Sequence, residues 1–366
     1  MKVAIIGFKM AYNAYSQRGI DVIASTFAEI GGEVTFISYP TYLWDLRESA
    51  RRILLRGIYY NEDSKSVFNR SVLVWIPYSL RIPHCLRKNF MGMYEWSHCN
   101  FYPSMDLNKF DIIVVESGKA VFMKDMIRGP KIIYRQSDPV SLASDDCLGK
   151  YEMEFMLQSD LILVVNDIIF ERYYRTNKEL ISKAEVWQNG FNIPSVNYEN
   201  PFKKSLNAVY MGLYPVNWDY IYSLCNEFKD MDVHVIGPHK SKKNYKNLIC
   251  HGFLPHNEII KYIAHAQICL LLYEQRPILQ VCDTSSKLLM YMYFNKPIIA
   301  NSFYGAERLK EQGVNVAETT DTFLDIVRQI VTHKDYFINY GIDLSKYEVS
   351  KRKEALISIL KKRNFI

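Results

Sequence analysis

The chain has 366 residues, of which 49% are hydrophobic and 23% charged, and its net charge is +6. This composition indicates a globular protein and excludes collagen-like or disordered chains; no apolar run approaches the roughly 20 residues of a membrane-spanning helix. The seven cysteines are an odd number without CxxC pairs, so we expect reduced thiols, no structural metal and a cytoplasmic location.

Strand and helix patterns alternate from the first residues, which predicts an α/β fold built on parallel sheets. After an opening strand, a helical pattern runs from Gly19 to Ile30 and ends at Gly31 and Gly32. The predicted strands of this half are KVAIIGF, EVTFISYP, FDIIVVESG, KIIYRQSDP and SDLILVVND. Residues 1–190 are therefore predicted to form one Rossmann-like domain.

Arginine and aromatic residues concentrate in two segments of this half. Residues 45–61 interleave four arginines with aliphatic residues and tyrosines, a pattern typical of a basic amphipathic helix, and residues 74–90 add Trp75, Tyr78 and further basic residues. Such a surface can lie in the headgroup layer of an anionic membrane. The alternative is the solvated face of a packed helix. Because the basic residues cluster with bulky aliphatic side chains, we do not expect nucleic acid as a partner.

A second series of strands and helices follows the polar linker SVNYENPFKKS. Its segments are LNAVYMGLYP, MDVHVIGPH, NLICHGFLPHNEIIKYIAHA, QICLLLYEQ and KPIIAN. We predict a second Rossmann-like domain over residues 200–345 and a final basic helix over residues 346–366. Two such domains facing each other leave a cleft at the carboxyl ends of their strands, where ligands bind.

The segment DTSSKLLMYMYFNKPIIAN, residues 283–301, places small hydroxyl residues and a lysine before an apolar helix. Ser285 and Ser286 can cap this helix, whose N-terminal N–H groups and positive dipole end attract a diphosphate. Lys287 adds a full positive charge. The alternative is an ordinary capped helix with a surface lysine.

The order and spacing of several segments in the second half resemble GT-B glycosyltransferases. These segments are WQNGFN, AVYMGLYP, HVIGPH, NLICHGFLPHNEIIKYIAHAQICLLLY and SSKLLMYMYFNKPIIAN. Within that superfamily, YRQSDP and TSSKLL are similar to segments of the bacterial exopolysaccharide enzymes of the xanthan glucuronosyltransferase type. The likeness covers residues 184–301, and the first half matches only as a generic Rossmann pattern.

The resemblance implies an enzyme that moves a sugar, with glucuronate suggested, from a UDP-sugar donor to a polyprenyl-linked saccharide in surface polysaccharide synthesis. Such an enzyme would lie on the cytoplasmic face of the cell membrane, and its last helix would either cross back to the first domain or add to the membrane-facing surface. The implied donor-binding residues are Met211, Gly212, Phe253, Tyr273, Thr284, Ser285, Ser286 and Lys287. The implied acceptor-binding residues are Tyr12, Asn13 and Gln17. No metal or other cofactor is expected, since the helix end and Lys287 would stabilise the leaving diphosphate.

Transfer with inversion requires a general base that deprotonates the acceptor hydroxyl, whereas transfer with retention does not. Asp138 is our first candidate, because it follows an apolar strand directly and should face the cleft; Glu116, at the end of DIIVVESG, is the second. As an alternative, Asp138 is a turn or capping residue before Pro139. The sequence departs from the family's pattern at Met290, where many relatives have a glutamate that binds the ribose of the donor.

Two other functions remain open at this stage. Sugar-nucleotide 2-epimerases share the two-domain architecture and need no lipid acceptor. A non-catalytic GT-B module would bind a nucleotide, a partner enzyme or a membrane without transfer.

Overall fold

The computed structural model describes residues 1–7, 18–41, 59–60, 67–78, 82, 84–102, 104–143, 146–193, 198–333 and 340–366. The chain divides into two compact units, Met1–Gly190 together with Val349–Ile366, and Phe191–Glu348. The predicted acceptor residues Tyr12, Asn13 and Gln17, and most of the basic segment 45–61, lie outside the described residues.

The first unit is built on a parallel sheet. Its strands are β1 (Lys2–Gly7), β2 (Glu33–Thr41), β3 (Tyr59–Tyr60), β4 (Val67–Leu73), β5 (Ile112–Glu116), β6 (Lys131–Gln136), β7 (Leu161–Val164) and β8 (Ala184–Val186). Among the described residues they form an eight-stranded sheet in the order β3-β4-β2-β1-β5-β6-β7-β8. All pairings are parallel except that of β3 with β4.

The second unit contains a smaller sheet that is parallel throughout its described strands. These strands are β9 (Asn207–Met211), β10 (Asp232–Ile236), β11 (Leu248–Gly252), β12 (Ile268–Leu271), β13 (Ile298–Asn301) and β14 (Asn315–Ala317). Their order is β11-β10-β9-β12-β13-β14. The central strands β9, β12 and β13 are buried at every position, because parallel sheets are covered on both faces and their strands read as continuous apolar runs.

Helices connect the strands in both units. The helices of the first unit up to the domain boundary are α1 (Gly19–Glu29), α2 (His84–Arg87), α3 (Met91–Cys99), α4 (Val140–Ala143), α5 (Asp146–Gln158), α6 (Asp167–Tyr173) and α7 (Lys178–Lys183). The remaining helices are α8 (Trp218–Glu227), α9 (His256–His265), α10 (Ser286–Tyr293), α11 (Tyr304–Lys310), α12 (Thr320–Thr332) and α13 (Val349–Lys362). Helix α13 belongs to the first unit, where Leu356 and Leu360 are buried in the same core as Phe27 of α1.

The sequence patterns located most strands but not all of them. Strand β4 carries Asn69 and Arg70 in its centre, and β14 has three residues, so neither gives a clear apolar signal. Within segment 74–90, Val74 and Tyr78 are buried, and a helix begins at His84. Within the described ranges, no helix is both long enough and apolar enough to cross a bilayer.

Candidate functional site

In each sheet, the chain places successive strands on one side of the first strand and then continues on its other side. Residues predicted to form the site lie at this reversal of the strand order. The reversal falls between β1 and β5 in the first sheet and between β9 and β12 in the second. In open α/β sheets, ligands bind outside the carboxyl ends of the strands at this point. Glu116 ends β5, Met211 ends β9, and Tyr273 lies two residues beyond β12.

The ammonium group of Lys287 lies at the reversal point of the second sheet. Its Nζ atom is 3.4 Å from the carbonyl oxygen of Met211 and 4.3 Å from the centroid of the Tyr273 ring. The Tyr210 ring is also close, with its centroid 5.5 Å from Nζ. Burial among these groups lowers the pKa of Lys287 to about 8, and the nearby Cys282 thiol opposes that shift. Among the described residues, the ammonium group is surrounded by aromatic rings and a single carbonyl oxygen, so binding an anion would stabilise its charge.

The N-terminus of α10 supplies a second source of positive potential beside this lysine. Ser285 is the N-cap, and its hydroxyl accepts a hydrogen bond from the backbone N–H of Leu288 at 3.3 Å, as the sequence predicted. The positive end of the helix dipole and the Lys287 side chain therefore occur in the same turn. This is the arrangement that binds phosphate groups in many α/β proteins.

The residues before α10 are fixed by an ion pair that sequence reasoning missed. The Asp283 side chain is 6% exposed and lies 3.4 Å from Nη1 of Arg308 on α11. Thr284 donates from its Oγ1 to Asp283 at 3.3 Å. Asp283 thus holds Thr284, predicted as a donor contact, in a defined position ahead of the helix.

Glycine is required in the turn after β9. Gly212 has φ +151°, and a Cβ at this position would lie 2.8 Å from Nζ of Lys287. The Gly212 carbonyl oxygen lies 2.8 Å from Nε2 of His239, and a Cβ at Gly237 would come within 2.0 Å of the same oxygen. Two glycine turns therefore pack together. A side chain at Gly212 would displace the Lys287 ammonium group, and one at Gly237 would displace the Gly212 carbonyl group.

The remaining predicted donor contacts differ in how accessible they are. Phe253 is 73% exposed, so its ring is available to a ligand. Tyr273 is only 4% exposed, and its backbone is bonded in both directions to the Asn301 side chain, at 2.7 and 2.9 Å. The Tyr273 ring is buried and contacts the Lys287 ammonium group, and its predicted contact with the nucleotide stays a prediction. Met290 is buried in the core and takes no part in the exposed surface.

Two carboxylates lie at the strand ends of the first unit. Glu116 is 6% exposed and lies 3.3 Å from Nη2 of Arg18, whereas Asp138, two residues beyond β6, is exposed. The pKa of Asp138 is raised, first because the surrounding protein removes water from the carboxylate and second because Glu116 is negative; Arg135 and Arg18 oppose the rise. An accessible carboxylate with a raised pKa has the properties of a general base.

The guanidinium group of Arg135 is a buried positive charge near these carboxylates. Arg135 is fully buried, and it donates from Nη1 to the carbonyl oxygen of Trp187 at 2.7 Å and from Nη2 to Oδ1 of Asn189 at 3.0 Å. Its guanidinium lies over the Trp187 ring, 4.7 Å from the centroid. Burial lowers its pKa to about 10, against the effects of Glu116 and Asp138. Arg135 therefore keeps its charge at neutral pH.

Solved structures with the same architecture define the fold. Sucrose-phosphate synthase from Thermosynechococcus elongatus is similar over 99% of this chain and 98% of that chain, with a TM-score of 0.67 and 8% identity. WaaG, a glycosyltransferase involved in lipopolysaccharide biosynthesis, is similar over 96% of this chain and 99% of its own, with a TM-score of 0.56 and 14% identity. The chain therefore has the GT-B fold, as predicted.

Sequence comparison also confirms the resemblance to the xanthan type of glucuronosyltransferase. Residues 10–165 match the family described as Glucuronosyltransferase GumK, N-terminal domain. The chain is 27% identical over 205 residues to UDP-glucuronate:glycolipid 2-beta-glucuronosyltransferase of Xanthomonas campestris pv. campestris. That match covers 53% of this chain and 50% of the relative, so it spans half the relative's length.

Proposed function

We propose that this chain is a glycosyltransferase that moves a sugar from a UDP-sugar to a lipid-linked saccharide, with glucuronate as the first candidate for the sugar. The observation that carries the proposal is the Lys287 ammonium group at the N-terminus of α10, close to Met211 and Tyr273. The name of the Xanthomonas campestris relative gives UDP-glucuronate as its donor and a glycolipid as its acceptor. WaaG, which shares the fold, is involved in lipopolysaccharide biosynthesis.

The charge at this position suits a departing nucleoside diphosphate. As the bond between the sugar and the diphosphate breaks, negative charge grows on the phosphate oxygens, and fixed positive groups lower the energy of that transition state. The helix terminus and Lys287 are such groups. We therefore propose that transfer needs no divalent cation, and that it persists in EDTA.

We propose Asp138 as the general base of an inverting transfer. Its carboxylate takes the proton of the acceptor hydroxyl, the hydroxyl oxygen bonds to the anomeric carbon, and the bond from that carbon to the diphosphate oxygen breaks. A single displacement of this kind inverts the anomeric centre. The support for this role is the exposed position of Asp138 beyond β6 and its raised pKa.

The membrane part of the proposal is supported by an exposed aromatic patch in the first unit, formed by Trp75, Trp96 and Tyr102. These side chains are 46%, 55% and 61% exposed. Trp75 and Trp96 are joined through Asn100, whose carbonyl oxygen accepts from Nε1 of Trp75 at 2.6 Å and whose side-chain amide donates to the Trp96 carbonyl at 2.8 Å. Tryptophan and tyrosine prefer the headgroup layer of a bilayer, so we propose that this patch contacts the anionic inner face of the cell membrane.

Vesicle binding tests this surface. Replacing both Trp96 and Tyr102 with serine should weaken binding to phosphatidylserine-containing vesicles at least about tenfold, because apolar area leaves the bilayer interface. Met153→Ser is the matched control, since Met153 is 37% exposed in α5 outside the patch. Equal binding by the patch variant and the control would rule out this surface.

A radiolabelled transfer assay tests the proposed function as a whole. With UDP-[14C]glucuronate, EDTA and a polyprenyl-diphosphate oligosaccharide, label should enter the lipid fraction only when the acceptor is present. Conversion of the free UDP-sugar without acceptor would identify an epimerase instead. Binding of UDP with no transfer to any acceptor would identify a non-catalytic module.

A further inference from the structure

A buried carboxylate supports the segment that carries Asp138. Glu152, on α5, is only 3% exposed. One of its oxygens, Oε2, accepts a hydrogen bond from the backbone N–H of Val140 at 2.8 Å. The other, Oε1, accepts from the Tyr134 hydroxyl at 2.9 Å and from the Gln136 side-chain amide at 3.0 Å. Glu152 therefore joins β6, which precedes Asp138, to α4, which follows it.

We name residues 137–140 the Asp138 loop. Each backbone N–H group of this loop donates a hydrogen bond to a side chain of another element. Pro139 has no N–H group, so the loop has three. The Ser117 hydroxyl, beyond β5, accepts from the N–H groups of Ser137 and Asp138 at 3.2 Å each, and Glu152 accepts from Val140. A loop held from both sides keeps its side chains in one geometry.

We propose that Glu152 is a positioning residue, which holds the Asp138 loop in the geometry needed to deprotonate the acceptor hydroxyl. This inference rests on the proposed transferase function. A buried carboxylate is costly unless it is fully hydrogen-bonded, and a neutral residue of similar shape would fill the same space. A carboxylate has two acceptor oxygens and can accept from all three donors at once, whereas a glutamine side chain has one acceptor oxygen.

The electrostatics agree with this role. Burial raises the pKa of Glu152, while the hydrogen bonds from Gln136, Tyr134 and Val140 oppose the rise. The negative charge of Asp138 also raises it. Glutamine at position 152 would turn an N–H group towards at least one of the three donors.

The experiment compares Glu152→Gln with a matched variant of the same network. The Tyr174 hydroxyl donates to Oε1 of Gln136 at 2.6 Å and does not touch the Asp138 loop. Tyr174→Phe therefore perturbs the buried network while leaving the Val140 contact intact.

In the transfer assay, Glu152→Gln should lower kcat between about tenfold and about a hundredfold, with KM for the donor within about twofold, because a misplaced base affects the chemical step. Tyr174→Phe should lower the Tm by about as much as Glu152→Gln does, but it should leave kcat within about twofold of the wild type.

Amide hydrogen exchange provides a readout that does not depend on transfer. The Val140 amide should exchange faster in Glu152→Gln than in the wild type, and its rate in Tyr174→Phe should match the wild type. Unchanged kcat and unchanged Val140 exchange in a folded Glu152→Gln variant would overturn the inference, as would equal kcat losses in both variants. If the wild type transfers nothing, the proposed function fails, whereas the Val140 exchange rates still show whether Glu152 holds the loop.

Discussion

Asp138→Asn is expected to reduce transfer at least about 1,000-fold, because the amide cannot accept the proton of the acceptor hydroxyl. UDP binding should stay within about twofold of the wild type, since the proposed donor site lies in the other unit. Steady-state kinetics with a lipid-linked acceptor and isothermal titration with UDP measure the two quantities. Full turnover by the variant would exclude Asp138 as the base.

Glu116→Gln is the control variant for this prediction. It should also change the pH dependence of transfer. The proposed mechanism requires ionised Asp138, so activity should fall as the pH drops through the raised pKa of that carboxyl group. Glu116 raises this pKa; its removal should therefore lower the pKa and move the acidic limb of the kcat profile to lower pH. If Glu116→Gln is inactive and Asp138→Asn is active, Glu116 is the base.

Lys287→Met is expected to weaken UDP binding between about tenfold and about a hundredfold, because hydrogen bonds to charged groups are the stronger ones. Isothermal titration measures the change, and Lys229→Met, an exposed lysine of the same unit, is the matched control. Equal affinities of the Lys287 and Lys229 variants for UDP would remove Lys287 from the donor site.

The wild type should also show a pH dependence of UDP affinity. The free protein carries Lys287 with a pKa of about 8, and only the charged form attracts the diphosphate. Affinity should therefore decline as the pH rises above about 8, and Lys287→Arg should remove that decline because guanidinium stays charged. An identical decline in the arginine variant would assign the titration to another group.

The local patterns of the sequence were sufficient for the elements at the proposed donor site. Ser285 as N-cap and Lys287 in the first turn of α10 follow from residue order alone, because capping depends on three or four consecutive residues. The strands that end near Glu116 and Met211 are continuous apolar runs, and such runs identify buried parallel strands.

Contacts between distant segments could not be predicted in this way. Glu152 lies within α5, and nothing near it in the sequence indicates that its carboxylate reaches Val140. The pairing of Asp283 with Arg308 likewise joins residues that are far apart in the chain. Tyr273 shows the same limit, because an aromatic residue after a strand can end in the core or at a ligand, and only packing decides.

The most direct test is a crystal structure of the protein with UDP bound. The account predicts that a phosphate oxygen lies about 3 Å from Nζ of Lys287, the distance of a charge-assisted hydrogen bond, with the diphosphate at the N-terminus of α10. Phosphates bound elsewhere would contradict it, for example in the pocket lined by Lys240 and Lys243 beyond β10, or anywhere in the first unit.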